Sequence, residues 1–194
     1  MDLKPDDARD YVVYQTGALQ AFARAEGCEL HHVKPHGAFY VMALDDAPLA
    51  RAIAEGVAQI DERLALYTLA GSELWDAAHA AGIPAGGEFF ADRPLRRDGT
   101  VVMFGWQELF DATPEAVAAR VREFVTTGAV TSVEGEAVAV TASSICVHSD
   151  TPGAGAIGPA VRAAVEEAGH SVGSELPGGA ATETVPGPLG TVQA

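Results

Sequence analysis

The stretch LALYTLAGSELWDAAHAAG, residues 64–82, contains both kinds of element that define the fold. The mostly apolar run from Leu64 to Leu69 predicts a short strand. After a glycine the apolar residues recur at helical spacing, which predicts a helix that begins at Ser72. A strand that passes directly into a helix is the repeating unit of α/β folds.

The same alternation continues on both sides of this stretch. Four further segments have helical periodicity: about Pro5–Glu26, about Pro48–Gln59, TPEAVAARVREFVTTG (113–128) and PAVRAAVEEAG (159–169). Three have the character of strands: about Glu29–Val33, GGEFFADR (86–93) and ICVHSD (145–150), the last followed by a glycine-rich turn, TPGAGAIG (151–158). We therefore predict an α/β fold of parallel strands covered by helices.

The number of strands limits the architecture. A closed β/α barrel needs about eight strand–helix units and 200 or more residues, whereas four or five strands are evident here. We expect either an open sheet or a barrel without its first units. Residues 1–173 are predicted to form this partial barrel domain, and the Gly- and Pro-rich residues 174–194 a disordered tail.

Composition excludes several classes of protein. The chain has 194 residues, of which 48% are hydrophobic, yet no run approaches the roughly 18 apolar residues of a membrane helix. The charged start MDLKPDDARD predicts no signal peptide, and Cys28 and Cys146 predict two reduced thiols, so we expect a cytoplasmic protein. The formal charge of −15 would repel a phosphate backbone, which argues against nucleic-acid binding.

Polar residues gather where the predicted strands end, which is where sites form in parallel α/β folds. Lys34 and His36 follow the first strand and, two residues apart, would project to the same side. Lys34 could hold a phosphate or carboxylate, and His36 could move a proton near neutral pH. Gly37 would let a ligand approach the backbone closely.

The later clusters offer acid–base chemistry. At the third strand end, Asp92 could act as a base and Arg93 could clamp an anion, although a surface ion pair is the alternative. His148 and Asp150 could act as acid and base after the last strand. Backbone N–H groups of the turn that begins at Thr151 could receive a phosphate.

Two further positions favour structural roles over binding. Ser72 and Glu73 predict first a helix cap and only second a ligand contact. Asp98, beside Gly99, predicts first a turn and only second a site.

A metal cluster and a serine nucleophile are weaker hypotheses. His31 and His32 stand close to His36, but no nearby carboxylate completes a metal-ligand set, so a structural histidine is favoured. Neither Ser144 nor Ser149 lies in a G-x-S-x-G elbow.

At these clusters the chain resembles the LamB/YcsF family of 5-oxoprolinase A subunits. The family patterns look like V-K-P-H-G-x-x-Y-N, L-A-G-S-E, F-A-D-R-x-Y-x-x-D-G-x-L-x-x-R and C-x-H-G-D. They stand here as VKPHGAFYV (33–41), LAGSE (69–73), FADRPLRRDGTVVMF (90–104) and CVHSD (146–150). The similarity runs in the same order from about Leu3 to Gly169.

The resemblance implies a fold, a reaction and partners. The fold would be a deformed β/α (TIM-like) barrel of the glycoside hydrolase/deacetylase type, related to enzymes of carbohydrate metabolism, with the N-terminal strands missing. The reaction would be the ATP-dependent opening of 5-oxo-L-proline to L-glutamate, carried out with the B and C subunits. ATP is the implied cofactor, and a divalent metal is a further candidate.

Carried over residue by residue, the resemblance also implies a site. The catalytic candidates are Lys34, His36, Asp92, Arg93, His148 and Asp150. The candidates for substrate or nucleotide binding are Gly37, Tyr40, Ser72, Glu73, Asp98 and Thr151. No residue is assigned to a metal. From the chemistry of the residue types, and not from the resemblance, we expect Lys34 to hold an anionic group, such as a phosphorylated lactam oxygen, while His36 moves a proton.

The chain departs from the family patterns in two ways. Four positions differ: Val41 replaces asparagine, Leu95 tyrosine, Phe104 arginine and Ser149 glycine. Family members also begin with a segment that carries D-L-N-x-D, G-F-H-x-G-D and G-A-H-P-S motifs, which is not found here. Two other functions therefore stay open, a catalytically impaired remnant that binds partner subunits and a metal-dependent deacetylase-like hydrolase.

Overall fold

The computed structural model describes residues 3–173 and the backbone of residues 191–192. The helices are α1 (Pro5–Ala25), α2 (Ala38–Asp45), α3 (Ala47–Ile60), α4 (Glu73–Ala80), α5 (Pro114–Thr127) and α6 (Ala154–Glu167), with a short 3₁₀ helix at Trp106–Glu108. The strands are β1 (His32–Val33), β2 (Ala65–Thr68), β3 (Ala85–Phe90), β4 (Ala129–Thr131), β5 (Ala137–Ala139), β6 (Ser144–Cys146), β7 (Ser171–Val172) and β8 (Thr191–Val192). None of the described helices is both long and apolar enough to cross a bilayer.

The chain divides into two compact units, the first of which extends to Gly87. In this unit β1 runs parallel to β2, and β2 runs parallel to the first residues of β3. Helices α1 and α3 pack against each other, and α3 also packs against α4. The core consists of buried aliphatic residues, among them Leu49, Ile53, Leu66 and Leu74.

Helix ends in the first unit follow from particular residues. Pro5 begins α1, since its fixed φ suits the first helical turn, and Asp6 and Asp7 lie near the positive end of the helix dipole. Asp46 caps α3, because its Oδ1 accepts the Leu49 N–H at 3.0 Å. Ser72 caps α4 by accepting the Trp75 N–H at 3.2 Å.

The second unit begins at Glu88. The last residues of β3 pair in parallel with β6, β4 and β5 form an antiparallel hairpin, and β7 runs parallel to β8. Helices α5 and α6 pack together over a core that includes Phe89, Phe124, Ile157 and Val161. Thr113 caps α5 through a 3.2 Å hydrogen bond from the Ala116 N–H.

These elements confirm the predicted α/β class with parallel strands. The number and the bounds of the elements differ from the prediction in several places. Helix α2 was not predicted, because its sequence is apolar almost throughout and lacks the polar face of an amphipathic helix. The β4–β5 hairpin was not predicted either. Helix α6 begins at Ala154 and not at Pro159, so most of the glycine-rich segment is helical.

The predicted boundary at residue 173 and the disordered tail stay predictions. Residues 174–190 and 193–194 lie outside the described residues.

Candidate active site

Asp92 lies two residues beyond the end of β3 and is wholly buried. Its Oδ2 accepts the backbone N–H of His148 at 2.8 Å and the hydroxyl of Thr151 at 2.5 Å. Its Oδ1 lies 2.8 Å from His148 Nδ1. Burial raises the pKa of Asp92, but the hydrogen bonds from His148 and Thr151 outweigh it and leave that pKa below the usual value. The carboxyl group is therefore an anion at neutral pH.

His148 is oriented by this carboxylate. An ionised carboxylate only accepts hydrogen bonds, so Nδ1 is the nitrogen that donates to Asp92. The edge of the ring packs on Phe90, with the ring centroids 4.7 Å apart. Burial lowers the pKa of His148, but hydrogen bonds with Asp92 and Cys146 raise it to about 9. The imidazole consequently holds a proton at neutral pH.

Arg93 joins the other members of the cluster. Its Nη1 donates to Thr151 Oγ1 at 2.7 Å and its Nη2 donates to Asp150 Oδ1 at 2.8 Å. The guanidinium, 2% exposed, stacks 4.3 Å from the Trp106 ring centroid. Asp150 itself is exposed on its other side. The arginine thus binds protein acceptors in this structure, and the anion clamp expected from the sequence stays a prediction.

Sequence reasoning missed Arg120, which supports the backbone around Asp92. From α5 its Nη1 donates to the carbonyl oxygens of Ala91 and Arg93, each at 2.8 Å. The guanidinium lies over the Phe89 and Phe110 rings. Burial lowers its pKa to about 10, against the opposing charges of Glu123 and Asp92. An arginine in the middle of an amphipathic helix is expected on the solvent face, so the sequence carried no sign of this role.

Sequence reasoning also missed the position of Cys146. Its Sγ lies 4.0 Å from His148 Nε2, the ring nitrogen opposite the one bound to Asp92. The spacing of the two residues was a usable sign, because residues two apart on a strand project to the same side.

In the first unit, Lys34 and His36 line a cavity of about 520 Å³. His32 also lines this cavity. Further lining residues, among them Tyr11 and Gln15, come from α1. The Lys34 ammonium lies 5.6 Å from the ring centroid of Tyr40, which is buried. Gly37 has a φ of 60°, which favours glycine at the start of α2.

The histidine pair beside this cavity packs on an aromatic ring. The His32 ring stacks on Tyr67 with the centroids 4.2 Å apart, and His31 Nδ1 lies 3.2 Å from His32 Nδ1. Burial, followed by the charges of His31 and Lys34, lowers the pKa of His32. Within the described residues no three His, Cys, Asp or Glu side chains come together as a metal site.

The structure gives Ser72 and Asp98 the structural roles that the sequence favoured. The Ser72 hydroxyl caps α4 and donates to the Leu69 carbonyl oxygen at 2.8 Å, and Glu73 is exposed in the first turn. Asp98 Oδ1 accepts the Thr100 N–H at 2.9 Å in an exposed turn, and that backbone hydrogen bond lowers the pKa of Asp98. Ligand roles for these residues stay predictions.

The model of the LamB/YcsF family matches residues 1–177. The chain belongs to the LamB/YcsF family. Proteins named as the A subunit of 5-oxoprolinase are similar over 172 residues, with 44% identity in Heliobacterium modesticaldum, 42% in Thermococcus onnurineus and 43% in Pyrococcus horikoshii. In each case the match covers 89% of this chain and 68% of the relative.

A solved structure supports the same assignment. The crystal structure of a lactam utilization protein from Thermus thermophilus superposes with a TM-score of 0.83 at 40% identity. The match covers 89% of this chain and 68% of the Thermus thermophilus protein. The α/β fold expected for the LamB/YcsF family is therefore confirmed.

The four departures from the LamB/YcsF patterns occupy different environments. Leu95 is buried in the core of the second unit, and Val41 is half-buried in α2. Ser149 is exposed beside His148, and Phe104 is 81% exposed. Nothing in the described contacts explains the phenylalanine at position 104.

Proposed function

We propose that this chain is the A subunit of a 5-oxoprolinase, a cytoplasmic enzyme that works with the B and C subunits. The reaction is the ATP-dependent hydrolysis of 5-oxo-L-proline to L-glutamate, with release of ADP and phosphate. The observation that carries the proposal is the hydrogen bond between buried Asp92 and half-buried His148, within a chain 42–44% identical to proteins named as the A subunit of 5-oxoprolinase. Such pairs are suited to acid–base work on a substrate.

His148 supplies the proton that ring opening needs. Cleavage of a lactam C–N bond expels an amine, which leaves readily only when its nitrogen is protonated. The His148 imidazolium, with a pKa of about 9, holds that proton at neutral pH. Asp92 keeps the ring in one orientation and stabilises its charge.

Lys34 and His36 line the cavity of the first unit, which is a second candidate binding site. A volume of about 520 Å³ is in the range of small-molecule sites. The substrate 5-oxo-L-proline carries a carboxylate, for which the Lys34 ammonium is a suitable partner. His36, exposed at the cavity wall, transfers a proton.

ATP enters the proposal as a co-substrate whose cleavage drives the reaction. The positive end of the α6 dipole, at Ala154, is suited to its phosphates. The described residues do not fit a divalent metal, because no three ligating side chains come together there. No step of the proposal runs through a metal.

The test is a coupled assay of the complete enzyme. The chain is co-expressed with the B and C subunits, and glutamate release from 5-oxo-L-proline is measured with and without ATP. We expect His148→Gln and Asp92→Asn to lower turnover by about 100-fold or more. The exposed residues His79 and Asp111 provide matched controls, and His79→Gln and Asp111→Asn should keep the wild-type rate.

The same assay tests the first unit. His36→Ala should abolish turnover while circular dichroism shows an intact fold. Glutamate release that does not depend on ATP would contradict the proposed reaction. Wild-type rates for both His148→Gln and Asp92→Asn would remove the Asp92–His148 pair from the mechanism.

A further inference from the structure

Three side chains of the second unit form a continuous chain of polar contacts. Cys146 Sγ lies 4.0 Å from His148 Nε2, and His148 Nδ1 lies 2.8 Å from Asp92 Oδ1. The imidazole thus bridges a thiol and a buried carboxylate. A nucleophile beside a base that a third group orients is the arrangement of covalent catalysis in many hydrolases.

We infer that Cys146 is a nucleophile activated by His148 and Asp92, and that its target is the carbonyl carbon of an amide. The identification of that amide as a lactam rests on the function proposed above. The thiol–imidazole–carboxylate arrangement itself rests only on the geometry.

Two other nucleophile candidates, Ser149 and Cys28, lack this arrangement among the described contacts. Ser149 is exposed, and the described contacts place no imidazole beside its hydroxyl. Cys28 is exposed, and its Sγ lies 3.7 Å from the Glu26 carbonyl oxygen. The second cysteine therefore serves as an internal control for ordinary thiol chemistry.

The groups around His148 favour transfer of the thiol proton to its ring. Asp92 faces the ring from the end of β3, and Cys146 faces it from β6. Arg93 donates to the Asp92 carboxylate and to Asp150. Arg120 donates to the carbonyl oxygens of the residues on either side of Asp92. The His148 ring, whose Nε2 lies 4.0 Å from Cys146 Sγ, is placed to take up the thiol proton when Cys146 reacts. The thiolate is the nucleophilic form of cysteine.

The bond changes at the carbonyl carbon are balanced with water, while the ATP of the function proposed above drives the overall reaction. The Sγ–C bond forms at the carbonyl carbon, the C–N bond breaks, and the proton on His148 Nε2 passes to the leaving nitrogen. A thioester remains on Cys146. Water then attacks the thioester carbon and gives a proton to His148, and the thiolate leaves to restore the starting pair.

The first experiment measures thiol reactivity and needs no assumption about substrate. In a Cys28→Ser background the rate of Cys146 alkylation by iodoacetamide is followed from pH 5 to pH 10. We expect Cys146 to react at pH 6 at least about tenfold faster than Cys28 does in the reverse variant, Cys146→Ser, because His148 Nε2 lies 4.0 Å from Cys146 Sγ. His148→Gln in the same background should lower the rate at pH 6 by about tenfold or more.

The matched comparison is the reverse variant, Cys146→Ser, in which only Cys28 remains. Its alkylation rate should not respond to His148→Gln, because the described contact of Cys28 Sγ is with the Glu26 carbonyl oxygen. A Cys146 rate at pH 6 no faster than that of Cys28, or one that His148→Gln leaves unchanged, would overturn the inference.

The second experiment measures turnover with the B and C subunits. Cys146→Ala and the isosteric Cys146→Ser should each lower glutamate release by about 100-fold or more, while Cys28→Ser keeps the wild-type rate. Unfolding curves show whether each Cys146 variant folds. If one of the two fails to fold, the turnover of the other tests the nucleophilic role. Wild-type turnover in a folded Cys146 variant would overturn the nucleophilic role.

The two experiments separate this inference from the proposed function. If the wild-type complex releases no glutamate, the proposed 5-oxoprolinase function fails. The alkylation rates still test whether Cys146 is an activated thiol, because that experiment uses no substrate.

Discussion

At the scale of single residues, the buried charge of Asp92 requires explanation. A carboxylate removed from water without partners costs several kcal/mol, and such a group usually binds a proton instead. Asp92 avoids this because His148, Thr151 and Arg93 all donate to it. The same contacts fix the His148 ring. One carboxylate therefore stabilises the local fold and sets the protonation of its neighbour.

The raised pKa of His148 predicts a pH-dependent stability. Its folded pKa of about 9 exceeds the ordinary value of about 6.5, so the protonated ring stabilises the native state. This contribution to the free energy of unfolding is fully present below about pH 6.5 and is lost as the pH rises through about 9. It amounts to about 3 kcal/mol at most. Urea unfolding of the wild type and of His148→Gln between pH 6 and pH 10 measures it. An equal decline in both proteins would show that other groups cause it.

Substitution of Arg120, a residue that the sequence did not assign to the site, is expected to lower the stability of the protein strongly. Arg120→Met removes the donor shared by the carbonyl oxygens of Ala91 and Arg93 and leaves both buried acceptors unsatisfied. We expect the free energy of unfolding to fall by about 2–4 kcal/mol. Arg122 on the same helix is the matched control, because its 3.7 Å ion pair with Glu167 is exposed and worth under about 1 kcal/mol. Equal losses in Arg120→Met and Arg122→Met would contradict the proposed role.

The sequence singled out the candidate site residues one by one but did not predict their contacts with each other. Asp92 and His148 were predictable because each follows a strand in a parallel fold. Their contact joins residues far apart in the chain and depends on the β3–β6 pairing, which periodicity alone does not specify. The local hydrogen bonds of Ser72 and Asp98 were predictable because their partners lie within three residues.

At the scale of elements, helix ends were predictable where a polar side chain or proline begins the helix. Ser72, Thr113 and Pro5 supplied such starts for α4, α5 and α1. Helix α2 had no comparable start, because it follows Gly37 and is apolar along most of its length. The short strands β4 and β5 carry too few residues for a period to be recognised.

The contact of α1 with α3 predicts opposite effects at two helical glycines. A Cβ on Gly56 would lie 3.2 Å from the Arg9 carbonyl oxygen and 3.3 Å from Val12 Cβ. Gly56→Leu should therefore overpack the contact between the helices and lower the free energy of unfolding by about 1–3 kcal/mol. A Cβ on Gly17 in α1 would meet nothing within 4 Å, so Gly17→Leu should stabilise by about 0.5–1 kcal/mol through helix propensity. Thermal unfolding of both variants measures the difference. A stabilising Gly56→Leu would show that the helices separate easily.

At the scale of the whole molecule, each compact unit has its own apolar core. The first is built mainly from aliphatic residues of α1, α3 and α4, and the second from aliphatic and aromatic residues of β3, α5 and α6. The α/β class was predictable because strand and helix patterns alternate over most of the chain. The division near Gly87 was not, because it falls inside β3, where neither composition nor a linker marks a boundary.

The formal charge of −15 predicts that salt stabilises the folded protein. Like charges held together on a compact surface repel each other, and salt screens that repulsion over a Debye length of about 10 Å at 0.1 M. We expect the free energy of unfolding in urea to rise by about 1 kcal/mol between 10 mM and 500 mM NaCl.

The control for this salt effect reduces the charge without touching the candidate site. Replacing the exposed residues Glu26, Glu55 and Glu62 with glutamine changes the formal charge from −15 to −12, that is −15 plus 3. This variant should be more stable than the wild type at low salt and should gain less from added NaCl, because fewer repulsive charges remain to be screened. If salt lowers the stability of both proteins instead, attractive surface pairs such as Arg96–Glu134 and Arg97–Glu136 outweigh the net repulsion.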